Sequence, residues 1–82
     1  MAKIIRVNGT IEPLGDTGLK SLQKAVGGYI QIVNATNGQL IVMDEDGKMK
    51  GKVVNEIASA MYDNPNDCIV GDVVVCDDNE IE

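Results

Sequence analysis

Apolar runs of four or five residues, separated by glycine and asparagine turns, recur along this chain and indicate a β-rich domain. The predicted strands are residues 3–7, 10–13, 29–33, 39–43 and 68–76. Asn37-Gly38 predicts a hairpin between the third and fourth strands, because both residues tolerate positive φ. The second strand meets Pro13, which is typical of an edge strand or an extended loop. The last run is apolar apart from Gly71-Asp72, and indicates one strand or a tight hairpin buried on both faces.

Two other segments carry apolar residues at intervals of three and four, the spacing of a helix with one buried face. The first predicted helix covers residues 17–26, with Asp16 or Thr17 as its cap and Gly27-Gly28 at its end. The second covers residues 54–62. The order of elements is therefore β(β)αββαβ.

This order predicts an α+β fold with an antiparallel or mixed sheet of four to five strands. We expect both helices on one face of the sheet, as the order is that of ferredoxin-like split β-α-β folds. A small barrel-like sheet with two helices is the alternative, because residues 69–73 could bend a strand around a corner. Residues 1–76 form the predicted single domain, and residues 77–82 an acidic C-terminal tail that we expect to fray.

The composition removes several classes of chemistry. Among the 82 residues there is no His, Trp or Phe, so His-containing catalytic triads and His-ligated metals are excluded. Cys68 and Cys76 match no metal or redox spacing, and we interpret them as small buried thiols of a reducing cytoplasm. No apolar stretch approaches the length of a membrane span. We therefore predict a cytoplasmic protein with no catalytic residue, metal or cofactor.

Charge is distributed unevenly along the chain. The formal net charge is −6, made of a +2 balance in residues 1–42 and a −8 balance in residues 43–82. Affinity for nucleic acid arises mainly from neutralising phosphates, so direct nucleic-acid binding is disfavoured. The missing large aromatics also limit apolar burial in so short a chain, and a homodimer is left open for that reason.

Two groups of residues stand out at the predicted turns. Gly27, Gly28, Gly47 and Gly71 are interpreted as structural turn positions. The polar candidates for binding a ligand or partner are Tyr29, Glu45, Asn55 and Asp72. Each has a simpler structural interpretation, such as a helix cap for Asn55 and a turn residue for Asp72.

Several motifs, in the order in which they occur along the chain, resemble the sequence pattern of a known family. The segments are Leu22-Gln23, Val26-Gly27-Gly28-Tyr29-Ile30, Asp44-Glu45-Asp46-Gly47-Lys48, Asn55, and Asp67-Cys68-Ile69-Val70-Gly71-Asp72. They resemble a small family of uncharacterised proteins, a domain of unknown function found in phages, plasmids and bacteria rich in mobile elements. The resemblance covers roughly residues 3–76 and brings no established activity with it. Gln31 stands where that family usually has Glu, which fits a binding or structural role better than a catalytic one.

Three functions follow as hypotheses. The first is a non-enzymatic binding module for a host protein or a small polar ligand. The second is an acidic mimic of nucleic acid that occupies a nucleic-acid-binding protein, such as a defence nuclease. The third is a small enzyme with converging carboxylates. The positions of Tyr29, Glu45, Asn55 and Asp72 discriminate between a ligand site, where they share one cleft, and a folding motif, where they do not.

Overall fold

A computed structural model describes residues 2–81 as one sheet with a helix on each side. Met1 and Glu82, the ends of the predicted domain and tail, lie outside the described residues. The elements are β1 (Lys3–Ile5), β2 (Ile11–Pro13), α1 (Leu19–Val26), β3 (Ile30–Asn34), β4 (Leu40–Asp44), α2 (Glu56–Met61), β5 (Val73–Cys76) and a single 3₁₀ turn (Asp78–Glu80). The predicted order of strands and helices is confirmed, with helices shorter than expected at their starts.

The five strands pair in the order β2-β1-β5-β4-β3, and every neighbouring pair is antiparallel. The sheet is open, since β2 and β3 are its two edges, and the barrel-like alternative does not apply. β2 is an edge strand, as Pro13 predicts. The hairpin around Asn37-Gly38 joins β3 to β4, with Gly38 at φ +86°.

The sheet has an apolar cluster on each face. One cluster packs against α2 through Ala58 and contains Ile5, Ile41, Met43, Ala58, Val73 and Val75. The other packs against α1 and contains Ile4, Leu22, Val26, Val42, Val74 and Cys76. All four residues of β5 are buried, so its unbroken apolar run reflects burial on both faces, as predicted.

The expectation of two helices on one face is wrong. The rule that fixes the side of a crossover helix applies to parallel strands, whereas α2 joins the antiparallel neighbours β4 and β5. The α2 connection is not a split β-α-β unit, whereas α1 joins β2 and β3, which run parallel at the two edges of the sheet. α2 is therefore free to cover the face that α1 leaves open.

The start of α1 and the C-terminal segment also differ from expectation. The N-cap of α1 is Gly18, not Asp16 or Thr17, although the Asp16 carboxylate accepts from the Gly18 N–H and the Ser21 hydroxyl.

Ile81 packs against the α1-side cluster after the 3₁₀ turn, so the prediction of a frayed tail is wrong for residues 77–81. Within residues 2–81, no helix has both the length and the apolar character needed to cross a bilayer.

Candidate functional site

Asp44, the last residue of β4, organises one end of the sheet. It is 1% exposed, and its Oδ1 accepts from the Asp46 N–H at 2.9 Å. Its Oδ2 accepts from Lys50 Nζ at 2.8 Å and from Lys52 Nζ at 2.7 Å. Burial by itself would raise the pKa of Asp44, but these hydrogen bonds outweigh it and hold the pKa at about 2. The aspartate is thus ionised and paired across the ordinary pH range.

The two lysines also tie the end of α1 to this aspartate. Lys50 Nζ donates to the Gly27 carbonyl at 3.2 Å, and Lys52 Nζ donates to the Val26 carbonyl at 2.6 Å. Helix C-termini carry partial negative charge and free carbonyls, so cations are favoured there. The lysines of the β4–α2 loop therefore connect the C-terminus of α1 to the Asp44 carboxylate through hydrogen bonds and ion pairs.

Close packing explains the paired glycines after α1. Gly27 is the C-cap at φ +83°, a left-handed conformation that favours glycine. Gly28 faces the ion cluster: a Cβ there would lie 2.7 Å from Lys50 Nζ and 2.8 Å from Asp44 Oδ1. A side chain at Gly28 would force the cluster apart.

The loop after β4 folds back by a short helical turn. The Lys52 N–H donates to the Gly47 carbonyl and the Gly51 N–H to the Lys48 carbonyl, the bonding pattern of a glycine-ended helix. This turn aims two of its lysines at Asp44. A Cβ at Gly47 would lie 2.9 Å from Val70 Cγ2, so the loop packs tightly on the segment that precedes β5.

Asn55 lies in the interior rather than in a cleft. Its Oδ1 accepts from the Ala58 N–H at 3.1 Å, as the N-cap of α2. Its Nδ2 donates to the carbonyls of Ile5 and Gly71, both at 2.9 Å. The residue is 1% exposed, so one amide links β1, α2 and the segment before β5.

Asp72 anchors the end of β1. One oxygen accepts from Arg6 Nη1 at 2.8 Å and the other from the Val7 N–H at 3.0 Å. Arg6 also pairs with Glu12 on β2, and these two carboxylates, Glu12 first, raise the pKa of the arginine. Asp72 and Arg6 together link the start of β5 to β1 and β2, at the end of the sheet that also holds Asp44.

Two clefts flank the Asp44 ion cluster. The tyrosine cleft, of about 430 Å³, is lined by Gln23, Gly28, Tyr29, Asp46 and Lys50. The arginine cleft, of about 390 Å³, is lined by Arg6, Val7, Lys24, Ala25, Val26, Gly27, Lys52, Val53, Gly71 and Asp72. Lys52 lies between the Val26 carbonyl and Gly71, where a Cβ would be 2.8 Å from its Cδ.

The four polar candidates therefore do not share one cleft. Tyr29 and Glu45 are neighbours, since the Glu45 N–H donates to the Tyr29 carbonyl at 2.8 Å, and Tyr29 is 70% exposed at the tyrosine cleft. Asp72 lines the arginine cleft. Asn55 is buried beneath it, bonded to Gly71. The motif residues converge on one end of the molecule but divide among three clefts and the core, because Glu45 lines a separate cleft.

Sequence reasoning missed Asp44, Lys50, Lys52 and Arg6. Two signals were present: Asp44 ends an otherwise apolar strand, and Lys50 and Lys52 are two positions apart after the Gly47 turn. Their meeting with Gly27 and Gly28 depends on tertiary contacts that no local pattern carries.

The acidic residues do not gather on one face. Because β4 and β5 are antiparallel, Glu45 and Asp46 lie at the opposite end of the sheet from Asp77 and Asp78. Ion pairs with lysine or arginine engage Asp44, Asp67 and Asp72. This separation counts against a phosphate-like array.

Asp44, Glu45 and Asp67 line one further cleft, of about 230 Å³, so carboxylates do meet in the described part of the chain, but not in the environments that acid–base catalysis needs. Among residues 2–81, Asp44 is the one buried carboxylate, and its closest charged partners are lysines. Its pKa is lowered, whereas a general acid needs a raised one. The arrangement therefore gives a carboxylate-pair enzyme no support.

These features define a class: a small α+β domain in which one antiparallel sheet, covered by a helix on each face, carries an aspartate–lysine cluster at one end. The chain belongs to the family described as a domain of unknown function, DUF3846, which matches residues 2–82. No curated protein matches it significantly, and no solved structure does.

Proposed function

We propose that this protein is a binding module whose tyrosine cleft takes a small, planar, polar ligand. The observation that carries the proposal is Tyr29, which is 70% exposed beside Gly28. Gly28 has no side chain, and Lys50 of the ion cluster donates to the neighbouring Gly27 carbonyl at 3.2 Å. An exposed ring next to a surface formed by glycine backbone suits a flat molecule, which can stack on the ring.

The polar groups of the cleft support the same class of ligand. The side chains of Gln23 and Asp46 have no hydrogen-bond partner among residues 2–81. Lys50 Nζ has two acceptors, the Asp44 carboxylate and the Gly27 carbonyl, and an ammonium has three donors. The cleft thus offers donors and acceptors to the edge of a neutral heterocycle or amide. The net charge of −6 disfavours a phosphorylated ligand.

Nuclear magnetic resonance titration tests the proposal. ¹⁵N-labelled protein is titrated with adenosine, uridine and nicotinamide, and we expect amide shifts at Gly28, Tyr29 and Asp46 for at least one of them. Stacking contributes about 1–3 kcal/mol per base, so Tyr29→Ala should weaken binding roughly tenfold. Leu19→Ala, which shortens another exposed side chain at the opposite end of α1, is the matched control. Unchanged affinity in Tyr29→Ala, or shifts confined to another surface, would refute the proposal.

A host protein is the other partner class, and the exposure of Tyr29 also favours it. Tyrosine is enriched among the residues that contribute most to protein interfaces. A pull-down with wild-type protein and Tyr29→Ala, from an extract of the host, separates this from small-ligand binding. A partner retained by wild type and lost from the variant, with no response to the small molecules, would assign the tyrosine to a protein interface.

The biological setting belongs to this proposal too. The motif resemblance supports a phage or mobile-element context. The free thiols of Cys68 and Cys76 support a reducing, cytoplasmic compartment. Fractionation of cells that carry the native gene checks the second point.

A further inference from the structure

We infer that the open edge of β3 pairs with β3 of a second copy, joining two sheets across a two-fold axis. The inference rests on the backbone groups of this edge, so it would stand even if the tyrosine cleft bound no ligand.

The register of the β3–β4 hairpin shows which backbone groups are open. The Glu45 N–H donates to the Tyr29 carbonyl, and the Ala35 N–H donates to the Gln39 carbonyl. Odd-numbered residues between Tyr29 and Ala35 therefore direct their N–H and C=O groups towards β4, and even-numbered residues direct theirs outwards. Ile30 and Ile32 thus present unpaired N–H and C=O groups at the sheet edge.

The segment after α2 closes the far end of this edge. The Asp63 N–H donates to the Asn34 carbonyl at 3.2 Å, and the Thr36 N–H donates to the Met61 carbonyl at 2.7 Å. Within residues 2–81, the outward groups of Ile30 and Ile32 have no such cover. The free edge is short, and it fits a partner strand of about the length of β3 itself.

Charge favours a second copy on this edge. Residues 29–43, which include all of β3 and the turn to β4, contain no charged side chain, although 24% of the chain is charged. A protein with a net charge of −6 can bring two copies together here without placing like charges opposite one another. The other edge, β2, is three residues long and carries Glu12 and Pro13, features that discourage strand pairing.

The sequence of β3 suits antiparallel pairing with itself about Gln31. In that register Ile30 of each copy faces Ile32 of the other, and the two pairs exchange backbone hydrogen bonds. Ile32, 42% exposed on the α1 face, would be covered by the facing isoleucine. Moving the register towards Asn34 would drive the second strand into residues 61–63, so the pairing cannot be centred beyond Gln31.

Sedimentation velocity across a concentration series tests the dimer. We expect wild-type protein to dimerise, and Ile32→Lys to raise the dissociation constant at least tenfold, since it sets two ammonium groups close to the symmetry axis. Ile11→Lys is the matched control, because Ile11 is a 53% exposed isoleucine on the opposite edge strand. A wild type that stays monomeric at millimolar concentration, or an Ile32→Lys variant that dimerises as well as wild type, would overturn the inference.

Cysteine crosslinking keeps the inference testable if Ile32→Lys does not fold. In a Cys68→Ser background, Gln31→Cys places two thiols directly opposite each other, at a Cα separation of about 4.5 Å. Asn34→Cys, on the same strand, places its two thiols about 20 Å apart, six positions out of register. Rapid disulfide formation by Gln31→Cys alone supports the pairing. Equal crosslinking by both variants, or by neither, overturns it.

Discussion

Replacing Asp44 by Asn should destabilise the protein by removing the charge that holds Lys50 and Lys52. The amide keeps the shape of the side chain and can still accept from the Asp46 N–H. It cannot neutralise two ammonium groups, which lie 2.8 and 2.7 Å from Oδ2. The substitution therefore isolates the electrostatic contribution of the carboxylate from its packing.

The pKa of Asp44 sets the size of the effect. A fall from 3.8 to about 2 corresponds to about 2 kcal/mol of unfolding free energy at neutral pH. Deletion of one partner of a fully buried ion pair costs about 3–5 kcal/mol, but Lys50 is 43% exposed and can turn to water, so the lower figure applies. For a chain of this size, we expect the melting temperature to fall by about 8–16 °C.

The pH dependence distinguishes this mechanism from a general loss of packing. The folded-state pKa of Asp44 lies below its unfolded value, so its contribution is complete above about pH 5 and is lost as pH falls through about 2. Other carboxylates titrate in both proteins and cancel in the difference. The gap in unfolding free energy between wild type and Asp44→Asn should therefore narrow steadily as pH falls.

Urea denaturation of both proteins between about pH 6 and pH 2.5 measures this gap. Glu45→Gln removes an exposed charge from the next position and should change stability by less than about 0.5 kcal/mol. A gap below about 0.5 kcal/mol at neutral pH, or one that stays constant down to low pH, would refute the reasoning. Equal losses in Asp44→Asn and Glu45→Gln would also refute it.

Three further changes test other parts of the structure. Asn55→Ala removes a helix cap and takes a donor from the carbonyls of Ile5 and Gly71, so urea denaturation should show a loss of about 3 kcal/mol; a loss under 1 kcal/mol would contradict the bridging role. Gly28→Ala should lower the melting temperature more than Gly15→Ala, since neither glycine has a positive φ and only the first brings a Cβ against other atoms; the reverse order would show that the ion cluster yields easily. Burial, followed by the charges of Glu80 and Asp77, raises the pKa of the Cys76 thiol. A thiol reagent should therefore label Cys68 before Cys76 in the native protein, and equal labelling rates of the two cysteines would contradict this.

The fold was largely predictable because its information is local. Alternation, helical spacing and the Asn37-Gly38 turn each act within a few residues, and together they gave the element order. The side on which each helix packs is a different kind of information. β4 and β5 are apolar on both faces, so periodicity could not assign α2 to either one. α2 covers the face that α1 leaves open, and only the long-range packing of both helices on the sheet decides this.

The candidate site was predictable only in part, for the same reason. Sequence patterns indicate that Gly27-Gly28 ends a helix and that Asn55 starts one, since both are local roles. The Asn55 amide, however, reaches Ile5 and Gly71, which are 50 and 16 positions away. Asp44 resembles an ordinary turn acid in the sequence and becomes the organising residue only when Lys50 and Lys52 fold back onto it.

The motif residues separate into two groups when their contacts are compared. Asn55, Asp72 and Gly28 each have a structural reason for their identity, in hydrogen bonds or close packing. Tyr29 has none: its ring is 70% exposed, and its backbone carbonyl would accept from the Glu45 N–H whatever side chain it carried. A large exposed aromatic costs solubility and adds little to this fold. The contacts that stabilise the fold explain the other motif residues but not the ring of Tyr29. Mutation of Tyr29 is therefore the change that best separates an effect on function from an effect on stability.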